Sequence, residues 1–292
     1  MGKPKSKTSR LLRIIGIIIG VIIVLLYIGL PAGVAAYTVL PNRAAVGSLP
    51  DGFEEVTLTA SDGVQLAGWY RPPANGAVII LLHGAGGSRE SVHPHAEMLV
   101  RHGYGVLALD LRGHGASQGQ TNRYGWQGTL DAGAAVNFLQ GRAEVQRIGG
   151  LGSSLGGEVL LGAASQYPQI QAIAADGATQ RCAEELVALE SERPLVRNFT
   201  ARVMYATVGL LTGEQPPKPL LQSMIDSTPT SFLLIAGGAD EMEVAFNQMF
   251  QDTLGERAEL WVAPEVGHIG AIYRYPKEYE QRVIDFFAAE LD

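Results

Sequence analysis

The chain has 292 residues, 47% of them hydrophobic, a single cysteine (Cys182) and a formal net charge of −7. One cysteine excludes an intramolecular disulfide and a cysteine-built metal site, so the fold rests on its apolar core. Residues 1 to 13 hold Lys3, Lys5, Lys7, Arg10 and Arg13 with no acid, which leaves 17 basic against 29 acidic side chains beyond them; so acidic a body argues against nucleic acid as a partner.

From Ile14 to Leu40 there is no charged residue, and the run IIGIIIGVIIVLLYIGL is almost wholly aliphatic. As a helix it spans roughly 40 Å, more than the ~30 Å hydrocarbon core of a bilayer needs. The expected organisation is therefore a basic cytoplasmic tail over 1–13, a single transmembrane anchor over 14–40, a linker over 41–53 and a folded body over 54–292. The basic cluster would stay in the cytoplasm and place the body on the extracytoplasmic side. A cleaved signal peptide competes, because small residues lie near Ala36, but its apolar region usually runs only about 7 to 15 residues. Gly16 and Gly20 form a Gly-x-x-x-Gly pair that would suit a weak homodimer.

Beyond the linker, EEVTLTA and VQLAGWYRP flank SDG and read as a β-hairpin. Six short apolar runs follow, at 77–84, 105–113, 147–154, 170–177, 231–238 and 258–265, mostly separated by stretches of helical length. Near-continuous apolar strands alternating with helices are what a mostly parallel sheet covered on both faces requires, so the body is an α/β domain. Helices are expected from Glu241 to Leu254 and from Pro276 to Leu291. Between 178 and 230 the alternation breaks down, and an insertion there would sit over the strand ends as a lid.

The stretch GGLGSSLGGE contains two adjacent serines, and Gly-x-Ser-x-Gly fits only around Ser154, as Gly152, Ser153, Ser154, Leu155 and Gly156. A strand entering this turn and a helix leaving it would expose the Ser154 hydroxyl above the sheet. A serine hydroxyl is a weak nucleophile, so it needs a base within hydrogen-bond reach and a carboxylate to orient that base. Of six histidines only His268 follows the serine. In the order serine, acid, histidine, His268 is the base. Asp240, after the strand FLLIAGG, is the favoured acid, and Asp176 is the runner-up. Backbone amides of Ala85, in the loop HGAGG, and of Leu155 are the candidate oxyanion donors.

HGAGG, LALDLRGHGAS, GSSLGG, GGADE and VGH succeed one another as in the α/β-hydrolase superfamily. The chain most resembles its serine-aminopeptidase-like and lysophospholipase-like branch, whose bacterial members often carry an N-terminal anchor, over about residues 54 to 290. The resemblance implies an α/β-hydrolase fold with an eight-stranded sheet, an acyl-enzyme intermediate and no cofactor. It assigns the triad to Ser154, Asp240 and His268, with Ala85 and Leu155 at the oxyanion hole. One departure falls right after the acid, where EMEV stands in place of the branch's usual valine-proline pair.

The function expected is hydrolysis of an ester, thioester or amide on a small-molecule or lipid-like acyl substrate, with the membrane as partner through the N-terminal helix. Acyl transfer, peptide cleavage and a silent binding or scaffold role are the alternatives. Asp110, Arg112 and His114 read as a structural network, and His83 as a residue that shapes its loop. His93 and His95 lack the companions a metal site needs, so no metal is expected.

Overall fold

The computed structural model describes residues 7–41, 43–119, 123–189 and 195–291. Most of the basic tail, residues 1–6, lies outside the described residues, as do residues 190–194 of the expected insertion. An apolar helix opens the chain as α1 (Lys7–Val24), a π-helical turn (Leu25–Gly29) and α2 (Leu30–Thr38). Within it Arg10–Thr38, 29 residues, is long and apolar enough to cross a membrane.

Residues 43–53 form no helix or strand, yet they run along the body. The Arg43 guanidinium donates to the Gly119 carbonyl at 2.7 Å and to that of Ser117, and the Gly47 N–H donates to Glu90 at 3.1 Å.

Eight strands then build one sheet: β1 (Glu54–Thr59), β2 (Gln65–Arg71), β3 (Ala77–Leu82), β4 (Gly105–Leu109), β5 (Arg147–Ser153), β6 (Ile170–Asp176), β7 (Ser231–Gly237) and β8 (Ala258–Ala263). Their order is β1-β2-β4-β3-β5-β6-β7-β8. The hairpin strand β2 is antiparallel to both β1 and β4, and every other pair is parallel. The strands begin where the apolar runs begin, because a strand covered on both faces carries mostly apolar side chains, its few polar ones lying chiefly near the ends. In β3, Val78, Ile80 and Leu82 enter one core while Ala77, Ile79 and Leu81 enter the other.

The interstrand helices are α3 (His93–Arg101), α4 (Gly128–Gln140) and α5 (Leu155–Ala163), then α6 (Ala183–Leu189), α7 (Leu195–Thr212) and α8 (Leu220–Ile225) between β6 and β7. The chain continues through α9 (Glu241–Leu254), α10 (Ala271–Arg274) and α11 (Pro276–Leu291), with α9 and α11 spanning the stretches expected from sequence. α3 and α11 cover one face of the sheet, and α4, α5 and α9 the other.

The segment expected as a lid folds as α6, α7 and α8, with α6 and α8 resting on α9. Trp126 stacks on Tyr205 of α7 at 6.4 Å between ring centroids. α7 also packs along α2 and touches the π-helical turn. Ala35 and Val39, at the end of the apolar helix, are buried in the same core as Leu155 and Val208. Burial of this kind draws the helix terminus into the body's fold rather than leaving it as a free tether.

Candidate active site

β5 delivers Ser154 to a sharp turn at the carboxyl end of the parallel strands. Ser154 has φ 50° and ψ −117°, outside the helical region, and its N–H donates to the Asp176 carbonyl at 2.7 Å. The flanking glycines are set by space. A Cβ on Gly152 would meet the Gly156 carbonyl carbon at 2.3 Å, and one on Gly156 would meet the Leu82 oxygen at 2.2 Å. Strand, turn and helix can close this tightly only without those side chains. Ser153, by contrast, is buried in β5 and pairs with Asp176.

His268 reaches the serine from the loop after β8. Its Nε2 lies 2.8 Å from the Ser154 Oγ, and its Nδ1 lies 2.6 Å from Oε2 of Glu243. The carboxylate that meets His268 therefore belongs to Glu243, which corrects the expectation placed on Asp240. Asp240 is the N-cap of α9, where its Oδ1 accepts the N–H groups of Met242 and Glu243, both at 3.1 Å. That oxygen is committed to two of the helix's otherwise unpaired donors. Glu243, one turn on, points inward and is fully buried, its Oε1 accepting the Gly237 N–H at 2.6 Å. Sequence held only a partial signal: Glu243 falls within the EMEV departure, but the Asp-x-x-Glu spacing of a capping box would turn it back to the N–H of the cap, whereas the Asp240 N–H is taken by the Gly237 carbonyl and Glu243 turns to His268.

Asp176, the runner-up, lies buried at the end of β6. Burial and the adjacent Glu243 carboxylate push its carboxyl up to about 7. The hydrogen bond to Glu243 holds the His268 imidazole above its ordinary pKa, against an opposing effect of burial. Its side chain remains 46% exposed, so the Ser154–His268 pair faces open space rather than the core.

That space is a cavity of about 640 Å³ lined by Ser154, His268, Ala85, Leu155, Tyr124 and Glu158, with the end of the apolar helix closing one side. Its size suits a small organic ligand or an acyl chain. Leu155 is the first residue of α5, whose leading N–H groups have no acceptor within the helix, and Ala85 sits across the pocket in the loop after β3. Among the described residues, Glu158 is the one ionisable side chain on this wall besides His268 and the tyrosines. Burial, reinforced by Glu185, pushes its carboxyl up to about 7. Positive φ at non-glycine residues gathers here too, at Ser154, at Tyr124 and at Ile269 beside His268, as strained backbone does at functional sites.

The surrounding polar residues hold loops. Neutral His83, its pKa lowered to about 3 by burial, lies 2.8 Å from the Gly84 carbonyl through Nδ1 and accepts the Leu111 N–H at 3.1 Å. Asp110 takes Arg89 in a buried ion pair at 2.7 Å and also accepts the Ala116 N–H. Arg112 binds Asp131 and Asp62. His93 pairs with Glu97 and His95 packs edge-on to Tyr279, so the two histidines face different neighbours.

Residues 77–269 match the family described as alpha/beta hydrolase fold. A Mycobacterium tuberculosis protein of uncharacterized function is 30% identical over 246 residues, 78% of this chain and 76% of its own length. A thiohydrolase of Aspergillus aculeatus is 30% identical over 198 residues, 63% of this chain and 60% of that one. Among solved structures, an esterase from Pyrococcus furiosus is 26% identical, aligns with a TM-score of 0.69, and covers 87% of this chain and 99% of its own.

Proposed function

The chain belongs to the α/β-hydrolase fold family, and from that premise we propose that it is a serine hydrolase acting on acyl esters or thioesters through an acyl-enzyme. The observation that carries this reading is the continuous chain from the Ser154 Oγ through His268 to the Glu243 carboxylate, at 2.8 and 2.6 Å. The esterase and thiohydrolase likenesses support the choice of acyl chemistry.

In this mechanism the Ser154 oxygen attacks the acyl carbon while His268 Nε2 takes its proton. Glu243 stabilises the imidazolium and keeps Nδ1 protonated, so that Nε2 is the basic nitrogen. The backbone amides of Ala85 and Leu155 hold the oxyanion. As the bond to the leaving alcohol or thiol breaks, His268 returns the proton to it, and the acyl group stays on Ser154. Water then attacks the acyl-enzyme, giving a proton to His268, which passes it to the departing Ser154 oxygen as the free acid leaves.

The same reading places the protein in a membrane by its apolar helix, with the N-terminus cytoplasmic and the body extracytoplasmic. Of the expected lid, α7 stands nearest, with its Tyr205 packed edge-on to Tyr124 of the pocket wall. Gly16 and Gly20 leave open space on the helix surface, which suits close approach of a second copy.

Labelling with a fluorophosphonate probe tests the chemistry. Wild type and Ser153→Ala should label and Ser154→Ala should not. A folded wild type that takes no label, or a Ser154→Ala protein that still does, refutes the mechanism.

A further inference from the structure

The apolar helix does something that crossing a bilayer does not require. After Ala35 and Val39 enter the core, Tyr37, Thr38, Leu40 and Pro41 line the cavity that holds Ser154 and His268. The apolar helix thus ends as a wall of the pocket. Cleavage near Ala36 would remove Tyr37's supporting turn and take Ala35 out of the core.

The helix length fixes how far this wall stands from lipid. Counted from Ile14, the first residue past the last charge, about 20 residues fill a ~30 Å hydrocarbon core and reach the region of Gly33. The remaining turn and a half to Thr38 rises roughly 8 Å, about the thickness of one headgroup layer. The pocket wall therefore begins at the outer edge of the headgroups.

α7 is the second element at this level. It touches the π-helical turn Leu25–Gly29, which by the same count lies within the hydrocarbon. Its inner side, with Tyr205 and Val208, is buried. Its outer side carries Leu195, Phe199, Ala206, Leu210 and Leu211, with Arg202 the one charge among the side chains described there. Leu210 is 83% exposed and Leu195 89%. A helix facing water presents polar residues outward; one lying in a membrane interface presents apolar ones, with a long basic side chain able to reach the phosphates.

We propose that α7 rests on the bilayer surface beside the helix that crosses it, and that the pocket takes its substrate, a long-chain acyl ester, directly from that leaflet. This rests on the serine-hydrolase and membrane-span readings above. The acyl chain would enter between α2 and α7 and bring its carbonyl to Ser154, without leaving the membrane for water.

The full chain reconstituted in phosphatidylcholine vesicles tests this in two ways. Cys182 is buried, so Leu210→Cys and, on the far side of the sheet, Gln281→Cys offer single sites for an environment-sensitive dye. Spin-labelled lipids should quench the dye at 210 and leave that at 281 nearly unaffected; equal quenching at both overturns the docking. Independently, the ratio of activity on a long-chain fluorogenic ester in the vesicles to activity on a short water-soluble ester should fall about tenfold or more in the Leu210→Glu, Leu211→Glu double variant. Rates are normalised to the fraction of protein that the fluorophosphonate labels, which discounts misfolded molecules. An unchanged ratio overturns the route from the leaflet. Where Ser154 labels and the soluble ester is cleaved, a failure in either arm strikes this inference alone. Where Ser154 does not label at all, the hydrolase reading falls and the substrate assignment with it.

Discussion

Two acids three positions apart divide the work at the start of α9. Asp240 serves the backbone and Glu243 serves His268, so their substitutions should separate cleanly. Glu243→Gln keeps the shape but removes the charge that stabilises the imidazolium, and kcat should fall by about 10³ to 10⁴. Asp240→Ala should cost about 1 kcal/mol of stability through loss of the cap while kcat stays within a few-fold; steady-state kinetics and thermal melting of both variants check this. The pH dependence follows from the same contact. His268 works as a base only when neutral, and Glu243 raises its pKa above the ordinary 6.5. Activity should therefore be lost as pH falls through a value above 6.5, seen as the acid limb of kcat/KM. In Glu243→Gln that limb should move to lower pH, because the neutral amide no longer favours the charged ring. A limb that stays in place would mean that another group governs it.

At the scale of elements, the β5–α5 turn depends on missing side chains as much as on Ser154. Gly156→Ala would drive a methyl against the Leu82 carbonyl at 2.2 Å. Backbone cannot yield as a flexible side chain can, so the variant should lose about 1 to 3 kcal/mol and most of its fluorophosphonate labelling. The junction of α2 with the body makes a second prediction. Val39 is 4% exposed and packed in the main core. Val39→Asp would bury an unpaired charge there, and should lower the melting temperature more than Leu40→Asp, whose side chain is 56% exposed. Equal effects at the two positions would mean that the helix end is not seated in the body.

For the whole molecule, the helix and the body act as one object. A span of this length and hydropathy should hold the protein in the membrane fraction through alkaline carbonate extraction, whereas a peripheral protein would be released. The basic cluster predicts that the body faces away from the cytoplasm, so protease added to intact spheroplasts should reach it. Both results bear on the site, since the end of the same helix forms one wall of the cavity that holds Ser154.

The sequence by itself determined the eight strands, the helix over Glu241–Leu254, the single turn able to expose a serine, and the one histidine that could serve it. Each of these is written in local terms: apolar runs that a two-sided core demands, glycines where no side chain fits, and chain order after Ser154. Tertiary structure alone decided which carboxylate meets His268, because Asp240 and Glu243 differ in direction rather than in kind, and only the cap geometry of α9 shows which one points inward. It also decided what the apolar helix does. Hydropathy reports length and the absence of charge, but the burial of Ala35 and Val39 and the placement of Tyr37 on the wall of the cavity that holds Ser154 arise from contacts across more than a hundred residues. No local pattern encodes such contacts, since they depend on how the folded body presents α7 to the helix.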